Sequence, residues 1–476
     1  METVCFISGK FNVVHAGHLR LFRHAKEISD RLIVGIYADS YDLDGEILVS
    51  VSDRIEGVRS NVWVDEVVVV DDLAKTLIDL RPDVVLKGKE HSDRTNIEER
   101  VVAQYGGALK FAGGDSRLSS WALLQAEKGD EDFILDRVRG FLERHSLSVD
   151  SIRSVIESIS GLRVLVIGDL IVDRYIDCQP VGLSSEDPTV VVSPLHERTF
   201  VGGAGIVAAH AAKLGAGATL VSVCGDDDPG RVALNSLTQQ SVEAEILTDP
   251  DRPTTRKTRY RADGKTLLRV NEFRDHQIDQ QLGDKITNIV LDHLRSHDLI
   301  IFSDFSYGIF SDEMIRMITD AGRQRNLTVA ADSQSSSQMG DITRFPNVSL
   351  ITPTEKEARL AVRDNRSGLV GISEKVKHAT NVGCVPITLG SEGVFLHRLD
   401  SDEKGWADDQ VPALNDSPVD VSGAGDAFLV ATAMSMASGT DVWSAVLVGS
   451  VASACQVGKL GNTPLSRREL SARLRS

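Results

Sequence analysis

DVSGAGDAF, residues 420 to 428, sets three small residues directly before an aspartate, at the head of a long run of small apolar residues. The run reads as a helix. The amides of Gly423, Ala424 and Gly425 would then form a nest for a phosphate or its transition state. Asp426, at the helix start, is positioned to accept a proton from an attacking hydroxyl. With a magnesium ion and good alignment, phosphoryl transfer requires little else. The same residues also fit a packing turn followed by an aspartate helix cap. The stretch alone leaves both readings open.

Upstream of it, apolar runs alternate with helical stretches: LRVLVIGDLIVDRY, ATLVSVCGD, DLIIFSDF, LTVAADS, VSLITPTE and CVPITLG. That spacing predicts a parallel sheet with crossover helices. PTVVVSPLHERTFVGG and TTRKTRYRADGKTLLRVNE alternate like half-exposed strands and predict a small β lid. In the lid, Lys257 and Arg259 of the basic TTRKTRYR run suit a sugar phosphate better than nucleic acid. A second α/β series opens the chain with TVCFIS, RLIVGIYA, DEVVVVD and DVVLKG. Charged residues around Phe133, Val138, Phe141 and Leu142 read as a helical connector between the two series. The expected division is a domain over residues 1–126, a connector over 127–149 and a domain over 150–476.

The 476 residues carry a net charge of −17, which argues against a polyanion such as nucleic acid as partner. Five cysteines, none in a CxxC pair, favour reduced thiols and a cytoplasmic setting over disulfides or zinc. Cys224 reads as a buried thiol rather than a nucleophile. The first residues run straight into a strand with no signal-peptide pattern, and no apolar run is long enough for a membrane helix.

GKFNVVHAGHLRLF, residues 9 to 22, passes from a strand into a helix with two histidines astride Gly17. In α/β sheets this carboxyl end of a strand is where ligands bind. His15 and His18 could donate to phosphate oxygens and stabilise charge on a pentavalent phosphorus. They also fit surface histidines at a helix start, or half of a metal site.

GKFNVVHAGH resembles the GxFDxxHxGH signature of the nucleotidyltransferases that join CTP or ATP to a phosphorylated alcohol or sugar. DRLIVGIYAD, RPDVVLKGKEH and SRLSSWALL resemble later segments of that family in order. The resemblance implies a Rossmann-like domain in which His15 and His18 stabilise the transferred phosphate. Gly9, Lys10, Lys87 and Glu90 would line the nucleotide site, with Ser119 and Ser120 on its phosphates. Asn12 stands where the family usually has Asp, and Asp42 and Asp44 where basic residues are common, although Arg54 is kept.

GDLIVDRY, FVGGAGIVAAHAAKLGA, TPTEKEA, ITLGSEG and DVSGAGDAF resemble, in order and spacing, the ribokinase-like sugar kinases. SDFSYG and KLGNTPLS bring the resemblance nearest to the heptose-phosphate kinases. It implies an α/β domain with a β lid, and Asp426 as catalytic base above the Gly423–Gly425 amides. Asp173, Gly202, Gly203 and Asp304 would bind the sugar. Glu357 would organise magnesium through water, and Thr388 and Gly390 would border the nucleotide. Here Ile206 replaces an Asn, Tyr307 a Lys and Thr354 the Asn of an NxxE element, changing the donors offered to the sugar.

Taken together, the chain resembles the bifunctional heptose 7-phosphate kinase and heptose 1-phosphate adenylyltransferases with the two domains in opposite order. That implies a sugar phosphate and ATP, with CTP as the alternative in the transferase step, as small-molecule substrates. It also implies Mg2+ as cofactor and a homodimer. Two rivals are a kinase whose amino-terminal domain only binds nucleotide, and a nucleotide-sensing protein with neither domain turning over.

Overall fold

Strand β1 (Val4–Gly9) buries both of its faces, and the alternation of its side chains builds two cores. Cys5 and Ile7 join one apolar cluster with Phe22 and Ala25 of the helix Ala16–Ile28. Phe6, between them, joins the other with Leu73 and Leu77 of the helix Leu73–Leu80. Gly35 on the neighbouring strand makes room for that ring: a Cβ there would lie 2.5 Å from Phe6 Cζ. In the computed structural model, the described residues are 3–12, 14, 16–41, 49–88, 97–112, 133–187, 189–262, 265–334, 340–398 and 408–474.

With β2 (Arg31–Tyr37), β3 (Glu66–Val70), β4 (Val84–Gly88) and β5 (Ala108–Ala112), β1 forms a five-stranded parallel sheet in the order β3-β2-β1-β4-β5. The order reverses between β1 and β4, so the turn after Gly9 opens at the switch point of a doubly wound sheet. The first four strands are those expected from the sequence. The fifth, ALKFA, is short and its Phe111 is exposed, so no apolar run announced it.

The chain divides into two compact units: residues 1–131 with 364–372 and 395–410, and residues 132–363 with 373–394 and 411–476. The helix Phe133–Arg144 belongs to the second unit, where Phe141 and His145 pack on Trp443 and Arg137 Nη1 donates to Ala413 O at 2.6 Å.

In the second unit, β6 (Arg163–Gly168) lies central in a six-stranded parallel sheet. Its order is β10-β9-β6-β13-β14-β15, where β9 is Gly217–Cys224, β10 Val242–Thr248, β13 Leu299–Asp304, β14 Thr328–Ser333 and β15 Leu350–Ile351. A separate four-stranded sheet is the predicted lid, in the order β12-β11-β7-β8. It comprises β7 (Leu170–Leu183), β8 (Val190–Gly203), β11 (Thr255–Ala262) and β12 (Lys265–Glu272). The sequence read VLVIGDLIVDRY as one continuous run; the structure divides it. Gly168 sits so close to β13 that a Cβ would lie 2.0 Å from Ser303 O, and after Asp169 the chain leaves the main sheet as lid strand β7. Helices Ala204–Lys213, Ala424–Ala437 and Val442–Val457 are buried on nearly every side, as their small apolar sequences require. No helix among the described residues is long and apolar enough to cross a membrane.

Candidate active site

Asp426 stands in the first turn of the helix Ala424–Ala437, behind Gly423 in a left-handed conformation with φ 76°. A side chain at 423 would be strained by that φ and would also meet Asn462, whose Oδ1 lies 2.5 Å from the Cβ position. Amides of a first helical turn have no intrahelical acceptor. The Ala424 N–H is only loosely engaged, by Val421 O at 3.4 Å, and the space beside Gly425 is open.

Asp426 itself is buried. Burial pushes its carboxyl up to about 7; Asp173 adds to the rise, while a hydrogen bond from Gln334 Nε2, 2.7 Å from Oδ1, and the charge of Lys257 oppose it. A base titrating near neutrality suits removal of a hydroxyl proton.

Asp173, on β7, is also buried. Arg259 of β11 pairs with its Oδ1, and Asn462 Nδ2 donates to its Oδ2 at 2.9 Å. Gly202 is required beside it, since a Cβ there would lie 2.3 Å from Asp173 Oδ2. Gly203, with φ 58°, turns β8 into the following helix. Lys257 places its ammonium 4.5 Å from the ring centroid of Phe305 and 5.4 Å from that of Tyr307, and burial lowers its pKa to about 8. Asp304 accepts hydrogen bonds from Ser306 N in the following loop and from Ser333 Oγ at the end of β14, each at 2.8 Å.

Beside Asp173 a cleft of about 290 Å³ opens between the lid and residues 418–422. Arg259, Arg261, Arg269, Tyr175, Thr266 and Ser422 are among its lining residues. Arg259 and Arg269 are directly cross-strand partners, and like charges so placed repel unless an anion or acid intervenes. Asp173 answers Arg259, and the Tyr175 ring lies 4.9 Å from the Arg259 guanidinium and 5.5 Å from that of Arg261. Tyr175 in turn donates to Asp420 Oδ2 at 2.9 Å, tying the lid to the approach of the glycine turn. Sequence reasoning named Lys257 and Arg259 of the lid and did not name Arg261, which lines the cleft; Lys257 lies over the two aromatic rings.

Thr388 ends the strand Pro386–Thr388 and its N–H donates to Pro353 O at 2.9 Å; Gly390 follows with φ 60°. Next to Pro353, Thr354 caps the helix Glu355–Ala361, and its N–H and Oγ1 donate to Glu357 Oε2 at 2.9 and 2.7 Å. Thr354 thus holds the glutamate through a capping box.

In the first unit, His18 lies on the helix Ala16–Ile28, its ring 4.8 Å from Phe11 and 6.3 Å from Phe22. Arg54 has only 2% exposure. It donates from Nε to Val49 O and from Nη1 to both Lys10 O and Tyr37 O, each at 2.8 Å, and pairs with Asp39. It therefore holds the backbone beyond Gly9 rather than offering its charge to a triphosphate. Lys87, near the end of β4, pairs with Glu98 at 2.6 Å. Asn12 Oδ1 accepts from Val49 N at 3.4 Å. His15, Glu90, Ser119, Ser120, Asp42 and Asp44 lie outside the residues whose side chains are described.

Residues 162–468 match the family profile described as pfkB family carbohydrate kinase, and the match spans Asp173, Glu357 and Asp426. The chain belongs to the pfkB family of carbohydrate kinases. Residues 6–105 match the profile described as cytidylyltransferase-like. The bifunctional protein HldE of Bradyrhizobium diazoefficiens is 31% identical over 324 residues, 67% of this chain and 64% of that protein. HldE of Caulobacter sp. strain K31 is 30% identical over 331 residues, with the same two shares. The chain thus matches just under two thirds of the length of these relatives. The ribokinase of Arabidopsis thaliana, complexed with ribose and ATP, shares the fold at TM-score 0.52 and 18% identity, covering 66% of this chain and 99% of that one. Escherichia coli phosphofructokinase-2, in complex with fructose-6-phosphate, does so at 0.53 and 16%, covering 66% and 98%.

Within the pfkB family profile, several supporting residues carry no local signal. Gln334 follows β14, Asn462 comes from the KLGNTPLS stretch and Tyr175 from β7; each reaches the site through long-range packing. Two of the departing positions are apolar or aromatic here: Ile206 is fully buried in its helix and Tyr307 sits beneath Lys257.

Proposed function

We propose that this pfkB-family member is a cytoplasmic, homodimeric, two-step sugar-activating enzyme. Its second unit phosphorylates the anomeric hydroxyl of a sugar phosphate of the heptose 7-phosphate type with ATP. Its amino-terminal unit then joins a nucleoside triphosphate, ATP or CTP, to the sugar 1-phosphate. One observation carries the reading: residues 418–422, which lead into the glycine turn before the buried Asp426, line a cleft whose arginines suit an acceptor that already bears a phosphate.

In the first step the acceptor hydroxyl gives its proton to Asp426 as its oxygen bonds the γ-phosphorus. The bond from that phosphorus to the bridging oxygen breaks, and ADP leaves. Amides at Gly423–Gly425 meet the charge of the transferring phosphoryl group. Asp173 and the Gly202–Gly203 turn hold the sugar, and Arg259, Arg261 and Arg269 take its phosphate. Thr388 and Gly390 border the nucleotide. The buried Glu357 carboxyl is an oxygen donor of the kind that suits a magnesium ion. Glu357 would carry such an ion through water, and the ion would supply charge neutralisation at the phosphates. In the second step an oxygen of the sugar 1-phosphate attacks the α-phosphorus of the triphosphate and pyrophosphate leaves. His15 and His18 donate to the oxygens of that phosphorus, with Gly9, Lys10, Lys87, Glu90, Ser119 and Ser120 around the nucleotide.

A second reading, in which the amino-terminal unit binds nucleotide without turnover, is favoured by the internal engagement of Arg54 and Lys87. Incubation with ATP, CTP and a panel of sugars and sugar phosphates, read by product mass, separates the two. The two-step reading expects a sugar bisphosphate, and a nucleotide sugar with pyrophosphate when a sugar 1-phosphate is supplied. Bisphosphate alone supports the second reading; unphosphorylated sugars as the better acceptors overturn the assignment of the cleft.

A further inference from the structure

Gln334 lies one residue beyond β14, at the carboxyl end of the central sheet. Its backbone is anchored, its N–H donating to Asp304 O at 2.9 Å. Its side-chain Nε2 donates to Asp426 Oδ1 at 2.7 Å. Asp426 and Asp332 are both buried, at 5% and 4% exposure. An uncharged amide therefore donates to the buried Asp426 carboxyl, close to a second buried acid, Asp332.

We infer that Gln334 is a positioning residue for phosphoryl transfer: it fixes Asp426 through Oδ1, so that Oδ2 faces the acceptor hydroxyl, and keeps that carboxylate ionised without neutralising it. The inference rests on the kinase reading above. Four charged groups act electrostatically around Asp426 and its acidic neighbour: Asp173 from β7, Lys257 from β11, Asp332 from β14 and Glu357 from the helix Glu355–Ala361. Three are acids and one is a cation, so they do not by themselves keep a buried carboxyl ionised near neutrality. A donated hydrogen bond does, because it stabilises the charged form. An apolar side chain in its place would leave burial less opposed and protonate the base. A lysine would lower the pKa of the base and so weaken it as a proton acceptor.

The test compares the wild type with Gln334→Met and Gln334→Lys in the full chain, at saturating ATP, across pH. In Gln334→Met the acidic limb of kcat/KM moves up by roughly one pH unit, giving about tenfold less activity near neutrality but recovery at higher pH. In Gln334→Lys the limb moves down and the plateau of kcat falls. A merely structural side chain would lower the plateau or the melting temperature in both variants and leave the limb in place. In parallel, the Asp426 carboxyl is followed by 13C NMR, assigned with Asp426→Asn. This arm needs no turnover: its midpoint rises in the Met variant and falls in the Lys variant. Limbs and midpoints that stay within about 0.2 units of wild type overturn the inference. A wild type that transfers no phosphate to any sugar or sugar phosphate overturns the kinase reading instead, and the NMR titration still decides whether Gln334 governs Asp426.

Discussion

The turn around Gly423 and the turn after Gly9 both lead a strand or loop into a helix through glycine, yet they are held in opposite ways. At Gly423 the supports are side chains that face the site: Asn462 against the glycine, Gln334 on Asp426, and Tyr175 on Asp420. After Gly9 the described support comes from behind, where a buried arginine grips backbone carbonyls of Lys10 and Tyr37. The first arrangement fixes Asp426 and bears on its charge. The second fixes the path of the chain beyond Gly9. Substitutions at the first should therefore act on rate and pH dependence, and those at the second on stability or on a single activity.

The largest expected effect tests the first turn. Asp426→Asn should lower sugar phosphorylation about 10²- to 10⁴-fold with nucleotide binding retained, read by coupled assay and by calorimetric titration with ATP. Retention of more than a tenth of the wild-type rate removes Asp426 from its role. Next, His18→Ala should slow pyrophosphate release from NTP and sugar 1-phosphate about 10²- to 10³-fold while sparing the kinase, the size expected for loss of one charge-stabilising donor. Unchanged pyrophosphate release would mean the amino-terminal turn carries no transferase chemistry.

Arg54→Ala should cost about 3 kcal/mol in denaturant unfolding, because several carbonyls and Asp39 lose a buried partner. Kinase activity should persist, and a stable variant with lost NTP condensation would make Arg54 a substrate contact after all. Smaller still, Arg261→Ala should raise KM for a phosphorylated acceptor about tenfold, with kcat and the KM of the unphosphorylated parent unchanged. Equal losses on both acceptors would place the phosphate elsewhere. Finally, burial pushes the Asp426 carboxyl up to about 7, so the base is ionised above that pH. Kinase kcat/KM should accordingly fall as pH drops through about 7; a profile flat down to pH 5 would show a base that is not buried in the working enzyme.

Local patterning carried the parts of this molecule that depend on neighbours in sequence. The apolar run of β1, the lid strands β8, β11 and β12 and the Gly-Ala-Gly-Asp turn are contiguous or periodic, and each was legible. β5 was not, because half-exposed short strands leave no apolar run. The parting of β6 and β7 was hidden because its cause is Ser303 O, more than a hundred residues away. For the same reason Gln334, Asn462 and Arg261 escaped notice: an amide or arginine gains its role only when packing turns it toward Asp426, Asp173 or the cleft. Arg54 shows the converse. Its identity was noted from the sequence, but its burial against three carbonyls makes it scaffold.

The Asp173–Asn462 hydrogen bond joins residues 289 apart in sequence. A contact of that span is reached only after the intervening chain has collapsed, since closing long loops forfeits entropy and non-local pairings form slowly. Helical signal in a refolding experiment is therefore expected to return before phosphotransfer does. During that lag the chain would hold most of its secondary structure while the surroundings of Asp173 were still open at one wall, so a tight-binding acceptor added early should shorten the delay.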